Sequence, residues 1–337
     1  KFLIKTHSKK KIAPGQLPLH YSPGIPLRIN AKKSKKNEAF VLIKKRKKSF
    51  KNYYYLSKKN NLQQSAKNLY TLLRKIKKDG YKMIAVEKIQ NKATQKLLYI
   101  DHNLPTAAFQ RFAYTEEINL AIEHSSIVFP FVWKSAQFGY DGNGVKVVRS
   151  KKDLQDLPNV ECITEELVPF KTELSVIVSR NIEGEIKAYP AVEMEFHPEA
   201  NQVEYVLCPA RVSEEIANKA KKIALKASAA FNHVGILAVE LFLTNNDEIL
   251  INEVAPRPHN SGHHTIECCM TSQFEQHLRA VLNLDLGSTS IKIPGVMLNL
   301  VGEENHTGEV IYEKIEDVLK TEGASIHIYG KKQTKPN

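Results

Sequence analysis

Cysteine is scarce in this 337-residue chain, which has four cysteines, none of them in a C-x-x-C spacing. Domains that depend on disulfides use cysteine much more densely. We therefore expect Cys162, Cys208, Cys268 and Cys269 to be reduced thiols of a cytoplasmic protein. The same spacing argues against a structural zinc site.

Long apolar runs are also absent, since the longest one, residues 127–133, has seven residues. A membrane-spanning helix needs about 20. The apolar patch near the N-terminus is too short for a signal peptide. These absences predict a cytoplasmic protein without membrane contact, and the length predicts about two domains.

Acidic residues are nearly missing from the first 90 residues, which carry 25 lysines and arginines against three acids, a net charge of +22. Residues 91–337 carry 24 basic and 33 acidic residues, a net charge of −9, and the two parts sum to +13. Such an abrupt change indicates two modules. We expect a lysine-rich accessory α/β domain at 1–90, a larger domain at 91–300 and a C-terminal subdomain at 301–337.

The basic module has lysine clusters at 9–11, 32–36 and 44–48, followed by three tyrosines at 53–55. Aromatic rings beside basic runs can stack on bases while lysines neutralise phosphates. A solvated lysine-rich surface explains the same pattern without nucleic acid, and we favour that interpretation. Apolar spacing predicts a helix over 62–76, a stop at 79–80 and a strand over 83–89.

A glycine-rich segment follows a predicted strand that ends near Lys134. It reads Phe-Gly-Tyr-Asp-Gly-Asn-Gly over residues 138–144. Glycine lets backbone N–H groups approach phosphate oxygens, and the lysine adds a positive charge. The segment lacks the GK[ST] of a P-loop and the following helix of a Rossmann fingerprint. It predicts a phosphate-binding loop between two strands, with an ordinary hairpin as the alternative.

A second candidate binding segment lies at residues 162–168, which read as a strand running into Pro169, with Glu173 shortly after. Backbone groups at such a strand end can hydrogen-bond an adenine edge, and a carboxylate can accept ribose hydroxyls. An exposed acidic turn is the alternative.

A pair of carboxylates lies in the predicted hairpin formed by residues 236–244 and 248–253. With a two-residue turn at Asn246 and Asp247, Glu240 lies directly opposite Glu253. Like charges in this position destabilise a sheet unless they are neutralised, and a hard divalent cation such as magnesium does so. We therefore predict that Glu240 and Glu253 are metal ligands, with a solvated pair as the alternative.

The loop after this hairpin concentrates polar side chains, namely Arg257, His259, Asn260 and His263. Its cation and hydrogen-bond donors suit an oxyanion or a carboxylated phosphate. A zinc site of two histidines and a glutamate is the alternative, but the loop has no H-E-x-x-H or related ligand spacing.

Together these motifs resemble the ATP-grasp enzymes of the 5-(carboxyamino)imidazole ribonucleotide synthase (PurK) family. The resemblance covers about residues 91–332 and includes E-L-V-P-F at 166–170, P-A-R-V-S at 209–213 and N-E-V-A-P-R-P-H-N-S-G-H at 252–263. It implies an α/β (α+β) protein with an ATP-grasp fold at 91–300, preceded by the small α/β accessory domain.

The resemblance also implies roles for the matching residues. ATP would contact Lys92, Lys134, Gly139, Tyr140, Asp141, Gly142, Asn143, Gly144, Val145, Glu165, Glu166, Leu167, Val168, Glu173, His197, Asn252 and Glu253. Magnesium would be bound by Glu240 and Glu253. The reacting groups would be surrounded by Tyr140, Asp141, Arg257, His259 and Asn260.

The family reaction is an ATP- and bicarbonate-dependent carboxylation of 5-aminoimidazole ribonucleotide through carboxyphosphate, a step of purine biosynthesis. The resemblance therefore implies ATP and Mg²⁺ as cofactors, bicarbonate and the ribonucleotide as substrates, and is compatible with a homodimer. The alternative is a non-catalytic nucleotide- or RNA-binding protein.

The basic module resembles a different family. Residues 13–27 and 62–89 resemble the linker and C-terminal accessory domain of YrdC-type threonylcarbamoyl-AMP synthases. In PurK-type enzymes a domain that helps to bind the ribonucleotide precedes the ATP-grasp domain. The segment also departs from the PurK pattern at Gln137, Asn143 and Val145, and the chain ends shortly after 329–331. From these differences we expect ATP hydrolysis to persist and carboxylation to be weak.

Overall fold

A computed structural model describes residues 27–31, 33–44, 49–57, 72–73, 75–87, 92–136, 144–196, 203–302, 306–330 and 332–334. The chain divides into two compact units, Lys1–Ile89 and Gln90–Asn337. Among the residues described, no helix is long and apolar enough to cross a lipid bilayer.

The first unit contains a parallel four-stranded sheet in the order β1, β4, β2, β3. Its strands are β1 (Leu27–Ala31), β2 (Glu38–Lys44), β3 (Tyr53–Ser57) and β4 (Met83–Glu87). Residues 72–73 and 75–78 are helical and a turn follows at 79–80, in agreement with the apolar spacing. The earlier part of the predicted helix, residues 62–71, and the lysine cluster at 9–11 lie outside the described residues.

The tyrosines of β3 lie on both faces of this sheet. Tyr54 belongs to the core, where it packs with Val41 and Ile76, and its hydroxyl donates a hydrogen bond to Asp79 Oδ2 at 2.6 Å. Tyr53 and Tyr55 pack against Phe40 and Leu42 on the other face. Tyr54 therefore serves packing and does not offer its ring to a nucleic-acid base.

The second unit begins with helices and a small antiparallel sheet. The helices are α1 (Lys92–Asp101), α2 (Glu117–Glu123) and α3 (Lys151–Gln155). The sheet has the order β5, β8, β6, β7, with β5 (Phe109–Phe112), β6 (Phe131–Ser135), β7 (Val145–Val148) and β8 (Cys162–Glu166). Its core surrounds Trp133 on β6. Lys134 on β6 pairs with Ile163 on β8 and Val145 on β7.

A seven-stranded sheet forms the centre of the second unit, in the order β14, β13, β9, β11, β12, β15, with β10 paired to β9. The strands are β9 (Phe170–Arg180), β10 (Ile186–Ala188), β11 (Val192–Phe196), β12 (Val203–Cys208), β13 (Gly235–Thr244), β14 (Ile249–Ala255) and β15 (Gly295–Leu298). Helix α4 (Glu214–Phe231) covers one face, where Ala220, Ala224 and Ala227 pack on the sheet. Small alanines allow this helix to approach the strands closely.

The remaining elements follow the large sheet. They are a 3₁₀ turn (Asn260–Gly262), α5 (Thr265–Cys268), α6 (Gln273–Leu282), β16 (Gly308–Glu309), α7 (Ile315–Leu319) and β17 (Gln333–Thr334). Cys268 and Cys269, at the end of α5, pack on the face of the large sheet that α4 does not cover.

The hairpin of β13 and β14 places Glu240 directly opposite Glu253, as predicted. The two-residue turn predicted for this hairpin is wrong, because Leu243 pairs with Ile249 and the loop has three residues, with Asp247 at a φ of +59°. Three-residue loops with a left-handed third residue are a common hairpin form. A β-bulge between the Glu240–Glu253 and Leu241–Ile251 pairs then inserts Asn252 and restores the carboxylate pairing.

Candidate active site

Two lysines lie on the same face of α1, a helix of the second unit. Lys92 and Lys96 are four residues apart, which places their side chains one above the other. Lys92 Nζ lies 3.2 Å from Glu253 Oε2, and Lys96 Nζ lies 3.1 Å from Glu165 Oε2. The helix thus directs two cations toward carboxylates of two different sheets.

Glu165 on β8 is shared by two cations. Lys134 Nζ lies 3.0 Å from Glu165 Oε2, the same oxygen that Lys96 contacts, and it donates a second hydrogen bond of 2.8 Å to Asn252 Oδ1. Both lysine side chains and the glutamate are almost fully buried. Lys134 therefore links the small sheet to the bulge of the large one.

This buried cluster carries more positive charge than Glu165 alone neutralises. Burial lowers the pKa of Lys96 to about 8, although Glu165 opposes the shift. Glu165 Oε1 is buried and has no hydrogen-bond partner among the described residues, and the same holds for the Tyr99 hydroxyl. A cleft at this point is lined by Lys92, Gln95, Lys96, Tyr99, Lys134, Glu165, Asn252 and Glu253. Surplus lysine charge in a cleft is typical of an anion-binding site.

Three carboxylates lie together on the large sheet, since Glu173 on β9 pairs with Phe242, two residues from Glu240. Burial raises the pKa of Glu240 to about 8, with a further contribution from Glu253. Burial also raises the pKa of Glu173 to about 7. Burial alone would raise the pKa of Glu253 too, but Lys92 and Lys134 outweigh it and lower that pKa.

These carboxylates fit a hard divalent cation. Glu240 and Glu253 present oxygen atoms on paired strands, and burial together with the charge of Glu253 raises the pKa of Glu240 well above its ordinary value. A bound dication neutralises both groups and displaces the proton on Glu240. The donor set consists of oxygen atoms, which magnesium prefers.

His259 connects this carboxylate pair to the following loop. Its Nε2 lies 3.2 Å from Glu240 Oε1, and its Nδ1 accepts a hydrogen bond from the Ser261 backbone N–H at 3.3 Å. The proton therefore resides on Nε2 and is donated to Glu240. Burial and the neighbouring Arg257 lower the pKa of His259 to about 4, which keeps the ring neutral. The Ser261 hydroxyl, 2.9 Å from His259 Nδ1, also lies 2.8 Å from that of Ser175 on β9.

Arg257 and Asn260 lie in the same loop as His259. Arg257 is exposed, and its Nη1 donates a hydrogen bond to the Pro258 carbonyl at 3.2 Å. Asn260 begins the 3₁₀ turn Asn260–Gly262. At the end of this turn, His263 Nε2 lies 2.6 Å from the Tyr329 hydroxyl. The zinc alternative gains no support here, since His263 is engaged with Tyr329 and Gln273.

Several predicted site residues lie close together around the cleft. Arg257 and Asn260 lie in the neighbouring loop, and the remaining residues are either outside the described part of the chain or at the ends of strands. Those brought together are Lys92, Lys134, Glu165, Glu173, Glu240, Asn252, Glu253 and His259. Gly139, Tyr140, Asp141, Gly142, Asn143 and His197 lie outside the described residues. Gly144 and Val145 begin the strand that pairs with Lys134, and Glu166, Leu167 and Val168 lead from β8 toward β9.

Lys96 and Tyr99 are site residues that the sequence interpretation missed. Lys96 is 3% exposed and contacts Glu165 and Thr106, so it is as central to the cluster as Lys134. Its four-residue spacing from Lys92 is a signal that could have identified it, because the two share a helical face. No comparable signal marks Tyr99, whose burial depends on tertiary packing.

Protein-family models match three parts of the chain. The ATP-grasp domain matches residues 97–274, and the phosphoribosylaminoimidazole carboxylase C-terminal domain matches residues 295–337. The C-terminal domain of threonylcarbamoyl-AMP synthase matches residues 2–101.

Solved structures give the same picture for the second unit. The N5-carboxyaminoimidazole ribonucleotide synthetase of Thermotoga maritima is 40% identical with a TM-score of 0.66, and the match covers 79% of this chain and 70% of that one. The N5-carboxyaminoimidazole synthase of Aspergillus clavatus, solved in complex with ADP and 5-aminoimidazole ribonucleotide, is 33% identical with a TM-score of 0.66 and covers 75% and 74%.

Curated relatives include the N5-carboxyaminoimidazole ribonucleotide synthase of Bacillus subtilis, which is 40% identical over 73% of this chain and 63% of that protein. The phosphoribosylaminoimidazole carboxylase of Saccharomyces cerevisiae is 38% identical over 74% of this chain and 44% of that protein. The chain thus spans less than two thirds of the length of these two relatives.

Proposed function

This chain belongs to the ATP-grasp family of N5-carboxyaminoimidazole ribonucleotide synthases, and we propose that it uses ATP and bicarbonate to carboxylate 5-aminoimidazole ribonucleotide. The observation that carries the proposal is the opposed pair Glu240 and Glu253 beside the buried Lys134–Glu165–Asn252 cluster. A dication site next to a phosphate-binding cation is what phosphoryl transfer requires. The proposed role is a step of purine biosynthesis.

We assign the nucleotide to the cleft between the two sheets of the second unit. Lys134, supported by Lys92 and the glycine loop, would neutralise the ATP phosphates. The β8 end at Glu165, Glu166, Leu167 and Val168 would face adenine, and Glu173 would accept ribose hydroxyls. Tyr140, Asp141 and His197 keep the roles that the family resemblance implies.

Magnesium is the metal that the carboxylate pair would hold. Glu240 and Glu253 would be its ligands, with Asn252 beside them. When bound, magnesium neutralises phosphate charge and orients the γ-phosphate for in-line attack. His259 would orient Glu240 by donating its Nε2–H to Oε1. The Nε2 and Oε1 atoms are 3.2 Å apart.

The proposed reaction has two steps. A bicarbonate oxygen attacks the γ-phosphorus, the bond to the bridging oxygen of ADP breaks, and carboxyphosphate forms. The amine of the ribonucleotide then attacks the carboxyl carbon, phosphate leaves and the amine loses a proton. Arg257 and Asn260 would hold the anionic reactants in register, since positioning and charge neutralisation carry most of the catalysis in such a site.

The proposal extends to the substrates, the assembly and the cellular location. Bicarbonate and the ribonucleotide are the proposed substrates, and a homodimer is the proposed assembly. A cytoplasmic location is compatible with the four cysteines, all of which are free thiols.

Bicarbonate-dependent release of ADP tests the first step. We expect the chain to hydrolyse ATP only with bicarbonate and magnesium, and the Glu253→Gln substitution to lower this rate by about two orders of magnitude or more. The matched control is Glu248→Gln, an exposed glutamate of the same hairpin, which should retain the rate. Full activity of Glu253→Gln would refute the assigned metal site. Formation of carboxylated nucleotide, measured in parallel, tests the second step.

A further inference from the structure

A second cluster of ligand-type side chains lies away from the cleft. It consists of Cys208 at the end of β12, His264 immediately before α5 and Cys269 immediately after it. Two sulfur atoms and one imidazole nitrogen lie within 4.8 Å of one another. The three residues are 1–4% exposed, and neither cysteine is in a disulfide. Two segments distant in sequence, the end of β12 and the residues that flank α5, thus bring sulfur and nitrogen donors to one buried point.

His264 is oriented like a metal ligand. Its Nδ1 lies 2.9 Å from the Ser261 carbonyl oxygen, which can only accept, so Nδ1 carries the ring proton. The lone pair is therefore on Nε2, which is buried and has no oxygen or nitrogen partner among the described residues, while the Cys269 thiol is within hydrogen-bond reach of the ring. Metal-binding histidines commonly hold their second nitrogen in this way, by donating it to a backbone carbonyl. A buried lone pair that only a weak S–H donor can reach costs free energy that a bound cation would recover.

We propose that Cys208, His264 and Cys269 bind a zinc ion. Thiolates and a neutral imidazole are the donors that zinc prefers, whereas the oxygen ligands Glu240 and Glu253 suit magnesium. With Zn–S near 2.3 Å and Zn–N near 2.1 Å, tetrahedral geometry needs donor separations of roughly 3.5 Å. None of the present donor separations exceeds 4.8 Å, so the donors have to approach one another by about 1.3 Å at most.

Charge and protons balance in this step. Each cysteine binds zinc as a thiolate, so any proton still on Cys208 or Cys269 is lost to solvent when the ion binds. The ion would join β12 to α5 and thereby hold the end of the loop that carries His259 and Asn260.

Cobalt is a suitable probe, because Co²⁺ occupies zinc sites and thiolate ligands give it a characteristic charge-transfer absorption. We expect the reduced full chain to bind one Co²⁺ per molecule with this absorption, and zinc to displace it. Zinc alone should also raise the thermal midpoint of the protein by mass action. Both effects should be lost in Cys269→Ser. The matched control is Cys162→Ser, which removes another buried free cysteine and should leave both unchanged.

A second variant covers the case in which Cys269→Ser fails to fold. His264→Gln leaves every thiol in place, and we expect it to weaken Co²⁺ binding by at least about tenfold. Circular dichroism of the metal-free variants verifies their folding. The proposal is overturned if the wild type gives no thiolate absorption, if His264→Gln or a folded Cys269→Ser binds cobalt as the wild type does, or if thiol titration of the protein as isolated finds Cys208 and Cys269 oxidised to a disulfide.

Discussion

Glu173 is a carboxyl group of the cleft whose protonation changes close to neutral pH. Burial raises its pKa from 4.5 to about 7, Lys134 opposes the shift and Glu253 adds to it. The native protein therefore keeps this proton at pH values where the unfolded chain has lost it. The stabilising contribution of Glu173 is complete below about pH 4.5 and declines as the pH rises through about 7.

We expect this decline to be visible in thermal unfolding of the magnesium-free protein. Between pH 5 and 8 the thermal midpoint of the wild type should fall more steeply than that of Glu173→Gln, which cannot titrate at this position. Glu248→Gln should follow the wild type. Parallel midpoint curves for the wild type and Glu173→Gln would contradict the assignment.

Lys96 is the residue whose removal should disturb the buried cluster most. In Lys96→Met, Glu165 would keep only one of the two lysines that contact its Oε2, and Thr106 would lose a 2.7 Å hydrogen bond. Because Lys134 still pairs with Glu165, the cost should stay below that of a wholly unpaired buried charge, at about 1–3 kcal/mol for the lost contacts. Denaturant unfolding should show a loss of this size.

A double-mutant cycle separates the lost pair from lost packing. Lys96→Met combined with Glu165→Gln should be less destabilised than the sum of the single changes, because the Lys96–Glu165 contact is lost only once, while Lys134 loses Glu165 in both Glu165→Gln and the double variant. Strict additivity of the two changes would mean that the pair is not coupled.

At the scale of elements, the P-A-R-V-S segment at 209–213 serves the architecture of the sheet and helix. Arg211 makes a bidentate contact with Glu193 on β11, at 2.7 and 3.1 Å. Ser213 begins α4 as its N-cap, and its hydroxyl accepts a hydrogen bond from the Ile216 backbone N–H at 3.3 Å. A segment that carries family resemblance therefore positions the helix that covers the core.

Ser213→Ala should lower the free energy of unfolding by about 1 kcal/mol, because a backbone N–H at the start of α4 loses its acceptor. Ser213→Asp should retain most of the stability, since aspartate is also a strong N-cap residue. Denaturant titration of the two variants measures the difference. Equal stability of Ser213→Ala and the wild type would show that the cap contributes nothing.

The hairpin of β13 and β14 shows which local features can be predicted from the sequence and which cannot. Alternating apolar residues predict both strands, and the turn residues 245–247 predict the reversal. The loop length and the bulge could not be predicted, because Asn252 is placed by its contact with Lys134, which is 118 residues away. The predicted pairing of Glu240 with Glu253 is confirmed, although the two-residue turn from which it followed is wrong.

At the scale of the whole molecule, the fold class and family expected from the motifs are confirmed. The motifs lie on strands and loops far apart in sequence, and only the fold of the second unit could bring them together. Lys134 and Glu253 could be predicted from the glycine-rich segment and the hairpin pattern, and Lys92 from the resemblance to the family. The positions of Lys96, Tyr99 and the cysteine–histidine cluster depend on tertiary packing, which residue spacing does not encode.

Nucleotide binding should stabilise the chain as a whole. A ligand that binds only the native state at about 100 times its Kd adds about 2.7 kcal/mol, so ATP with magnesium should raise the thermal midpoint. Glu253→Gln and Glu240→Gln should each lose most of this shift, while Glu248→Gln should keep it. If both site variants kept the full magnesium-dependent shift, the carboxylate pair would not be the metal site.

The three-residue loop and the bulge at Asn252 together decide which single-residue deletions the gene for this chain can tolerate. Deleting one loop residue shortens an exposed reversal and leaves β13 and β14 in register, because the strands pair independently of the tip. Deleting Asn252 makes the ladder regular and keeps Glu253 opposite Glu240, but it removes the amide oxygen that accepts a 2.8 Å hydrogen bond from Lys134 and so leaves that buried lysine with one partner fewer. The two deletions lie only a few codons apart, yet selection should act on them differently. The loop deletion should be tolerated as length variation, whereas the deletion of Asn252 should be selected against.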